Sequence, residues 1–277
     1  MRLYFCGTRG STPVSGLNQG RYGGHTSAVA LAHDGQAPTL VLDAGTGLMQ
    51  LTGLLDGAPF RGTLLLGHLH WDHTHGMPFF AGGLCPGHRV EVVIPEQGAD
   101  AEQVLAKAFS PPHFPVFPGE LGPGWSFRGL EPGEHQLEGF TVQALEIPHK
   151  GGRTFGYRVS SGGASLAYLS DHSPLGIGPG ADGLGELHEN ALALADGVDL
   201  LIHDAQHTPE ELPALAFLGH SATDYVVNLA RAAGAHGVML FHHAPTRTDD
   251  EIDAMTARFA DAEIPVRAAH DGLVVEL

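Results

Sequence analysis

The sequence predicts an α+β fold in which two mixed β-sheets pack face to face and helices cover their outer sides. Three observations carry that expectation. The chain has 277 residues, 43% of them hydrophobic, which is enough to bury a large core. Short apolar and β-branched runs, bounded by glycine and proline, recur in both halves of the chain. Helical patterns fall irregularly among them, without a linker and without a steady strand-helix-strand alternation, so layered sheets fit better than a βαβ wind. Residues 1–277 are accordingly expected to form a single domain.

In order, the runs Leu3 to Cys6, Ser27 to Ala32, Thr39 to Asp43, Thr63 to Gly67 and Val90 to Ile94 read as strands, joined by glycine-rich turns such as Gly20 to Gly24. Ala99 to Ala108 reads as a short helix. From Ser110 to Gly133, proline and glycine are dense, which predicts an extended loop insertion over about 110–133, anchored by Phe114, Phe117 and Trp125. Strands resume at Phe140 to Ile147, Phe155 to Ser160 and Ser165 to Leu169. A helix is expected over Glu186 to Ala195 and a buried strand over Asp199 to His203. Ser221 with Asp224, and Thr248 with Glu251, stand at capping-box spacing before two further helices. Gly237 to Phe241, Val266 to Ala269 and Leu273 to Leu277 complete the strands.

Charge narrows the choice of partner. Against 31 Asp+Glu there are 14 Lys+Arg, a formal net charge of −17, and the only lysines are Lys107 and Lys150. Such a surface repels long polyanions, which disfavours RNA as a partner. The start MRLYFCGTRGS lacks the pattern of a secretory signal, and no long uncharged apolar run is present, so the expected location is the cytoplasm, with no membrane segment. Cys6 and Cys85 have no metal-binding spacing and read as small buried residues or free thiols.

The chemistry lies in the 19 histidines. His68-Leu69-His70-Trp71-Asp72-His73 follows the apolar run TLLLG and puts three imidazoles and a carboxylate on six consecutive positions. In an extended backbone His68 and His70 share a side, and a turn at the strand end can aim Asp72 and His73 toward a second ion. This segment resembles the metallo-β-lactamase superfamily, whose HxHxDH signature it contains in full. The resemblance continues in LDAGTG around Asp43, IPHKGG around His149, YLSDHS around Asp171 and LFHHAP around His242 and His243. These segments are similar to those of the phosphodiesterase and tRNA 3′-processing branch.

That resemblance implies the four-layer αββα sandwich of the family and a two-metal site. His68, His70, His149 and Asp171 would hold one ion, and Asp72, His73, Asp171 and His242 the other, with His242 favoured over its neighbour His243 as ligand. Asp43 would brace the metal loop without binding metal. Two divalent ions are implied, zinc first and manganese second, holding a hydroxide nucleophile at a spacing of roughly 3.5–4 Å. IHDAQH and GHSAT resemble a further motif pair of this branch, in which Asp204 would orient His220 for proton transfer to the leaving group. Asp72, Asp204 and His220 are thus the expected catalytic residues. His25, Lys150, Arg153 and His243 are candidates for substrate contact.

Hydrolysis of a phosphodiester is the expected reaction, on a small or cyclic substrate. The alternatives are tRNA 3′ processing, a lactonase or other carboxylic-ester hydrolase, and a scaffold that binds a phosphorylated ligand without turnover. The resemblance and the aromatic residues of the 110–133 segment point to a homodimer.

Overall fold

The computed structural model describes all residues 1–277. The strands are β1 (Arg2–Gly7), β2 (Ala28–Ala32), β3 (Leu40–Leu42), β4 (Arg61–Leu65), β5 (Arg89–Pro95), β6 (Trp125–Leu130), β7 (Gly133–Leu137), β8 (Phe140–Glu146), β9 (Phe155–Ser161), β10 (Ala164–Leu169), β11 (Leu200–Asp204), β12 (Val238–Phe241), β13 (Val266–Ala268) and β14 (Val274–Glu276). They form two seven-stranded sheets, ordered β14-β1-β2-β3-β4-β5-β6 and β13-β12-β11-β10-β9-β8-β7. Each is mixed: β3 to β6 run parallel in the first and β10 to β13 in the second, while the remaining pairs are antiparallel. The expected α+β sandwich is the observed architecture.

Side-chain alternation shows why the sheets stack. In β1, Leu3 and Phe5 face the seam between the sheets, whereas Tyr4 and Cys6 face the outer layer. Likewise in β11, Leu200 and Ile202 enter the seam while Leu201 packs outward. Outside the first sheet lie α1 (Leu48–Leu54), α2 (Trp71–Thr74) and α3 (Ala101–Leu105), and after β10 come α4 (Glu189–Ala195), α5 (Leu212–Leu215), α6 (Thr223–Ala233) and α7 (Asp249–Ala257). No helix is long and apolar enough to cross a membrane.

Several local expectations are corrected. The 110–133 segment is not loop throughout: Trp125 to Leu130 form β6, which pairs in parallel with β5, and the Trp125 indole donates to the Gly83 carbonyl at 2.8 Å. Phe114 folds back against Phe79 and Phe109. Ser221 does not cap α6, whose N-cap residue is Ala222. Its hydroxyl instead donates to the His172 carbonyl at 2.8 Å, a bond across the site that competes with the local cap. The Thr248–Glu251 capping box does form. The helices expected at 99–108 and 186–195 are shorter, at α3 and α4, and both cysteines are free.

Candidate metal centre

The site lies where parallel strands end. His68, His70 and α2, with Asp72 and His73, follow β4 of the first sheet. From the second sheet, Asp171 follows β10, Asp204 closes β11, His242 follows β12, and His149 sits in the loop after β8. Residues at carboxyl ends of strands converge from separate points of the sequence, as in other open α/β sheets. Asp43 and His242 hold positive φ values of 61° and 57°. Such backbone costs on the order of 1 kcal/mol or more and persists only where the surroundings enforce it.

Asp171 is almost fully buried and stands at the centre. Its Oδ1 lies 3.9 Å from His68 Nε2 and 3.6 Å from His149 Nε2, while Oδ2 lies 3.0 Å from His73 Nε2 and 3.4 Å from His242 Nε2. One carboxylate oxygen therefore faces each of two ligand groups. His149 Nε2 is 3.4 Å from His70 Nδ1, and Asp72 Oδ2 lies 3.2 Å from His73 Nε2 and 3.0 Å from His242 Nε2. His68, His70 and His149 form one group able to hold a cation, and Asp72, His73 and His242 another.

The residues fit metal on independent grounds. Both ring nitrogens of His68, the Nε2 of His73 and the Oδ2 of Asp171 are buried without a hydrogen-bond partner. Buried polar atoms are rarely left so, and each costs about 1–3 kcal/mol unless something else satisfies it. Protonation agrees. Burial pushes His68 well below the ordinary imidazole range, and the neighbouring His73 adds to this. Burial alone would raise Asp171 and Asp72, yet the surrounding imidazoles, His242 and His73 for Asp171 and His73 first for Asp72, hold both carboxylates well below their ordinary range. Anionic carboxylates facing several nitrogen donors suit a divalent cation.

Outer contacts fix the rings. His73 Nδ1–H donates to Asp43 Oδ2 at 2.7 Å, and His149 Nδ1–H donates to the Gly219 carbonyl at 2.9 Å, so each turns Nε2 toward the centre. Asp43 also accepts from the Gly67 amide and from the Tyr168 hydroxyl, both at 2.7 Å. Gln206 lies 3.1 Å from His242 Nδ1, and the Ser11 amide donates to Asp72 Oδ2 at 2.6 Å. Sequence reasoning missed Tyr168, Gln206 and Ser11. Tyr168 reads as one more apolar strand residue, and only its place three residues before Asp171 hints at more.

Asp204 reaches His220: Oδ2 and Nδ1 are 3.0 Å apart, and both residues are buried. Burial would lower the His220 pKa, but Asp204 and then Asp171 outweigh it and raise it to about 9. A cavity of about 410 Å³ opens over this ensemble, lined by Ser11, Leu69, His70, Trp71, Asp72, Asp171, Leu218 and His220.

The four candidate substrate residues do not line that cavity. His25 turns to Thr46 and Gln50. Arg153 is held by Glu146 and Glu131, since carboxylates outnumber cations throughout the chain. Lys150 points to the Phe217 carbonyl. His243 is buried with Nε2 on the Ala269 carbonyl at 2.9 Å and packs edge-on to Tyr22; the left-handed turn at His242 sends the two neighbouring rings in different directions.

Three buried imidazoles outside the ligand groups make the fold acid-sensitive. His172 and His203 are held low by burial, and burial pushes His243 down to about 3. Below about pH 6.5 the unfolded chain binds protons that these folded rings refuse, so stability is lost as pH falls. His220, with a raised pKa, is protonated in both states there and gives no offset. Melting temperatures measured between pH 8 and 5 should fall steeply below 6.5; a flat profile would contradict this account.

A family model described as a beta-lactamase superfamily domain matches residues 39–243. Ribonuclease BN of Escherichia coli O7:K1 is 26% identical over 302 residues, covering 91% of both chains. Among solved structures, the metallo-beta-lactamase fold protein YhfI from Bacillus subtilis superposes with a TM-score of 0.74 at 17% identity over 99% of each chain. A diphosphatase from the PhnP family gives 0.71 at 19% identity, over 100% of this chain and 97% of that one.

Proposed function

Because this chain belongs to the β-lactamase superfamily, we propose that it is a two-metal hydrolase of small or cyclic phosphodiesters, with residues 1–277 forming one domain. The observation that carries the reading is the placement of a protonatable His220–Asp204 pair on the cavity wall, 3.6 Å from the shared carboxylate Asp171. An alkoxide leaving phosphorus needs a proton, whereas a weakly basic leaving group such as p-nitrophenolate does not.

His68, His70, His149 and Asp171 would hold one ion, and Asp72, His73, Asp171 and His242 the other. Bound there, two divalent ions supply a hydroxide near neutral pH and neutralise charge on the phosphoryl oxygens. Asp204 fixes the His220 ring through Nδ1 and keeps it protonated, leaving Nε2 to serve the substrate. As a water oxygen bonds to phosphorus and the opposite P–O ester bond breaks, the imidazolium gives its proton to the departing alkoxide, and the water's own proton leaves to solvent. The products are a phosphomonoester and an alcohol.

A second reading, tRNA 3′ processing, is favoured by the similarity to ribonuclease BN along 91% of both chains. The net charge of −17 and the presence of only two lysines weigh against a folded polyanion.

The test is turnover of bis(p-nitrophenyl) phosphate against a simple aryl lactone, with protein loaded with zinc or manganese. Phosphodiester preference is expected, and lactone preference would overturn the reading. For a diester with an alkyl leaving group, H220A should lower kcat about a hundredfold. For p-nitrophenolate, which departs without a proton, the loss should be several times smaller, and equal losses would remove His220 from proton transfer.

A further inference from the structure

A second cavity opens against the metal cavity. It measures about 330 Å³ and is bounded by Leu69, Trp71, Ala99, Val104, Leu105 and Ala108, with Lys107 at its mouth. Leu69 and Trp71 line both cavities, so the two share a wall. Gly151 also lines the second, where a Cβ would stand 2.6 Å from His70 Nε2, so only glycine lets it open directly behind that imidazole. Trp71 is 67% exposed, its indole stacked on His75 at 5.6 Å. Because the exposed Trp71 ring lines both cavities, it offers a flat apolar face to a group bound at their junction.

Charge adds a second constraint. Several cations are paired with carboxylates, Arg89 with Glu138, Arg128 with Glu91 and Arg153 with Glu146, whereas Arg61, Lys150, Arg158, Arg231 and Arg267 are not. Lys107 is exposed and lies at this mouth with no carboxylate partner, in a chain where acids outnumber bases by more than two to one. His220, proposed above as the acid for the departing oxygen, comes from the segment after α5 and does not line this cavity. A substituent seated in this cavity would lie away from the proposed acid, as the group that stays on phosphorus does.

We infer that this cavity is the subsite for the retained substituent of the substrate, a single apolar ring whose far end carries an anionic group facing Lys107. The inference rests on the phosphodiesterase reading and adds the class of diester: a compact, ring-bearing organic phosphate, in place of a nucleic acid chain.

Three p-nitrophenyl phosphodiesters test it, with methyl, phenyl or 4-carboxyphenyl as the retained group. From methyl to phenyl, kcat/KM should rise about tenfold, as expected for burying one ring, and rise again for 4-carboxyphenyl. A99W, which fills the cavity from an exposed position, and V104D, which makes it polar, should each collapse the phenyl-to-methyl ratio toward one. K107E should erase only the carboxyphenyl gain. Equal kcat/KM for all three diesters, or gains that survive both A99W and V104D, would overturn the subsite.

Binding separates this from the catalytic reading. In a W125F variant, Trp71 is the sole tryptophan, and phenylphosphonate should change its fluorescence while methylphosphonate does not. If no diester turns over but phenylphosphonate still binds at Trp71, the hydrolase reading fails and the subsite stands. Identical responses to both phosphonates would reject the subsite whatever the turnover.

Discussion

Asp171→Ala is expected to lower phosphodiester turnover by about a thousandfold or more and to cut bound metal from two equivalents to one or fewer. The magnitude follows from geometry. Each carboxylate oxygen of Asp171 faces a different ligand group, so a single truncation strips an anionic donor from both. A thousandfold is about 4 kcal/mol of lost transition-state stabilisation, in the range for disabling a two-metal clamp. Five imidazoles would also lose the anion that offsets their crowding: His68, His73, His149, His220 and His242 all lie within 4 Å of it. Metal content by elemental analysis, beside kcat, checks both halves. Two retained equivalents with near-normal kcat would mean that Asp171 does not bridge.

Asp43→Ala should be the most destabilising of the single changes, by about 3–5 kcal/mol, and should weaken metal binding about ten- to a hundredfold. Fully buried Asp43 accepts three hydrogen bonds, from the Gly67 amide, the His73 ring and the Tyr168 hydroxyl, all at 2.7 Å. Removal orphans three buried donors at once. His73 changes character as well. Burial pulls its pKa down, and Asp72, Asp43 and Asp171 together outweigh that and hold it well above the ordinary value. Denaturant unfolding of the metal-free protein isolates the first effect, and competition with a chelator the second. If both stay within error of the parent, Asp43 is not the brace proposed.

Much of the centre was legible in the sequence because the residues able to hold metal sit in short motifs at strand ends, where chain direction is fixed by neighbouring apolar runs. His68 to His73, His149, Asp171 and His242 all come together as their segments imply, and Asp204 spans to His220 despite its short side chain. What stayed hidden depends on contacts between distant segments. Trp125 to Leu130 are surrounded by proline and glycine and become strand only because β5 offers a free edge. The spacing of Ser221 and Asp224 promises a cap, yet the Ser221 amide is taken by Asp204 and its hydroxyl by the His172 carbonyl. His243 is indistinguishable from His242 in sequence, and one left-handed residue separates their fates. Lys150 and Arg153 drew attention as rare cations, but rarity does not decide which carboxylate or carbonyl claims them.

The origin of the ligands has a further consequence. His68, His70, Asp72 and His73 belong to one sheet, whereas His149, Asp171 and His242 belong to the other, more than 70 positions downstream. Any cation held by both sets fastens the sheets at one end of their seam, much as a crosslink closes a long loop. Occupancy then becomes a term in the cohesion of the sandwich, through linkage between binding and folding. Were metal bound there, its scarcity would be felt as a loosened seam, and its supply would bear on the lifetime of the fold as well as on its chemistry.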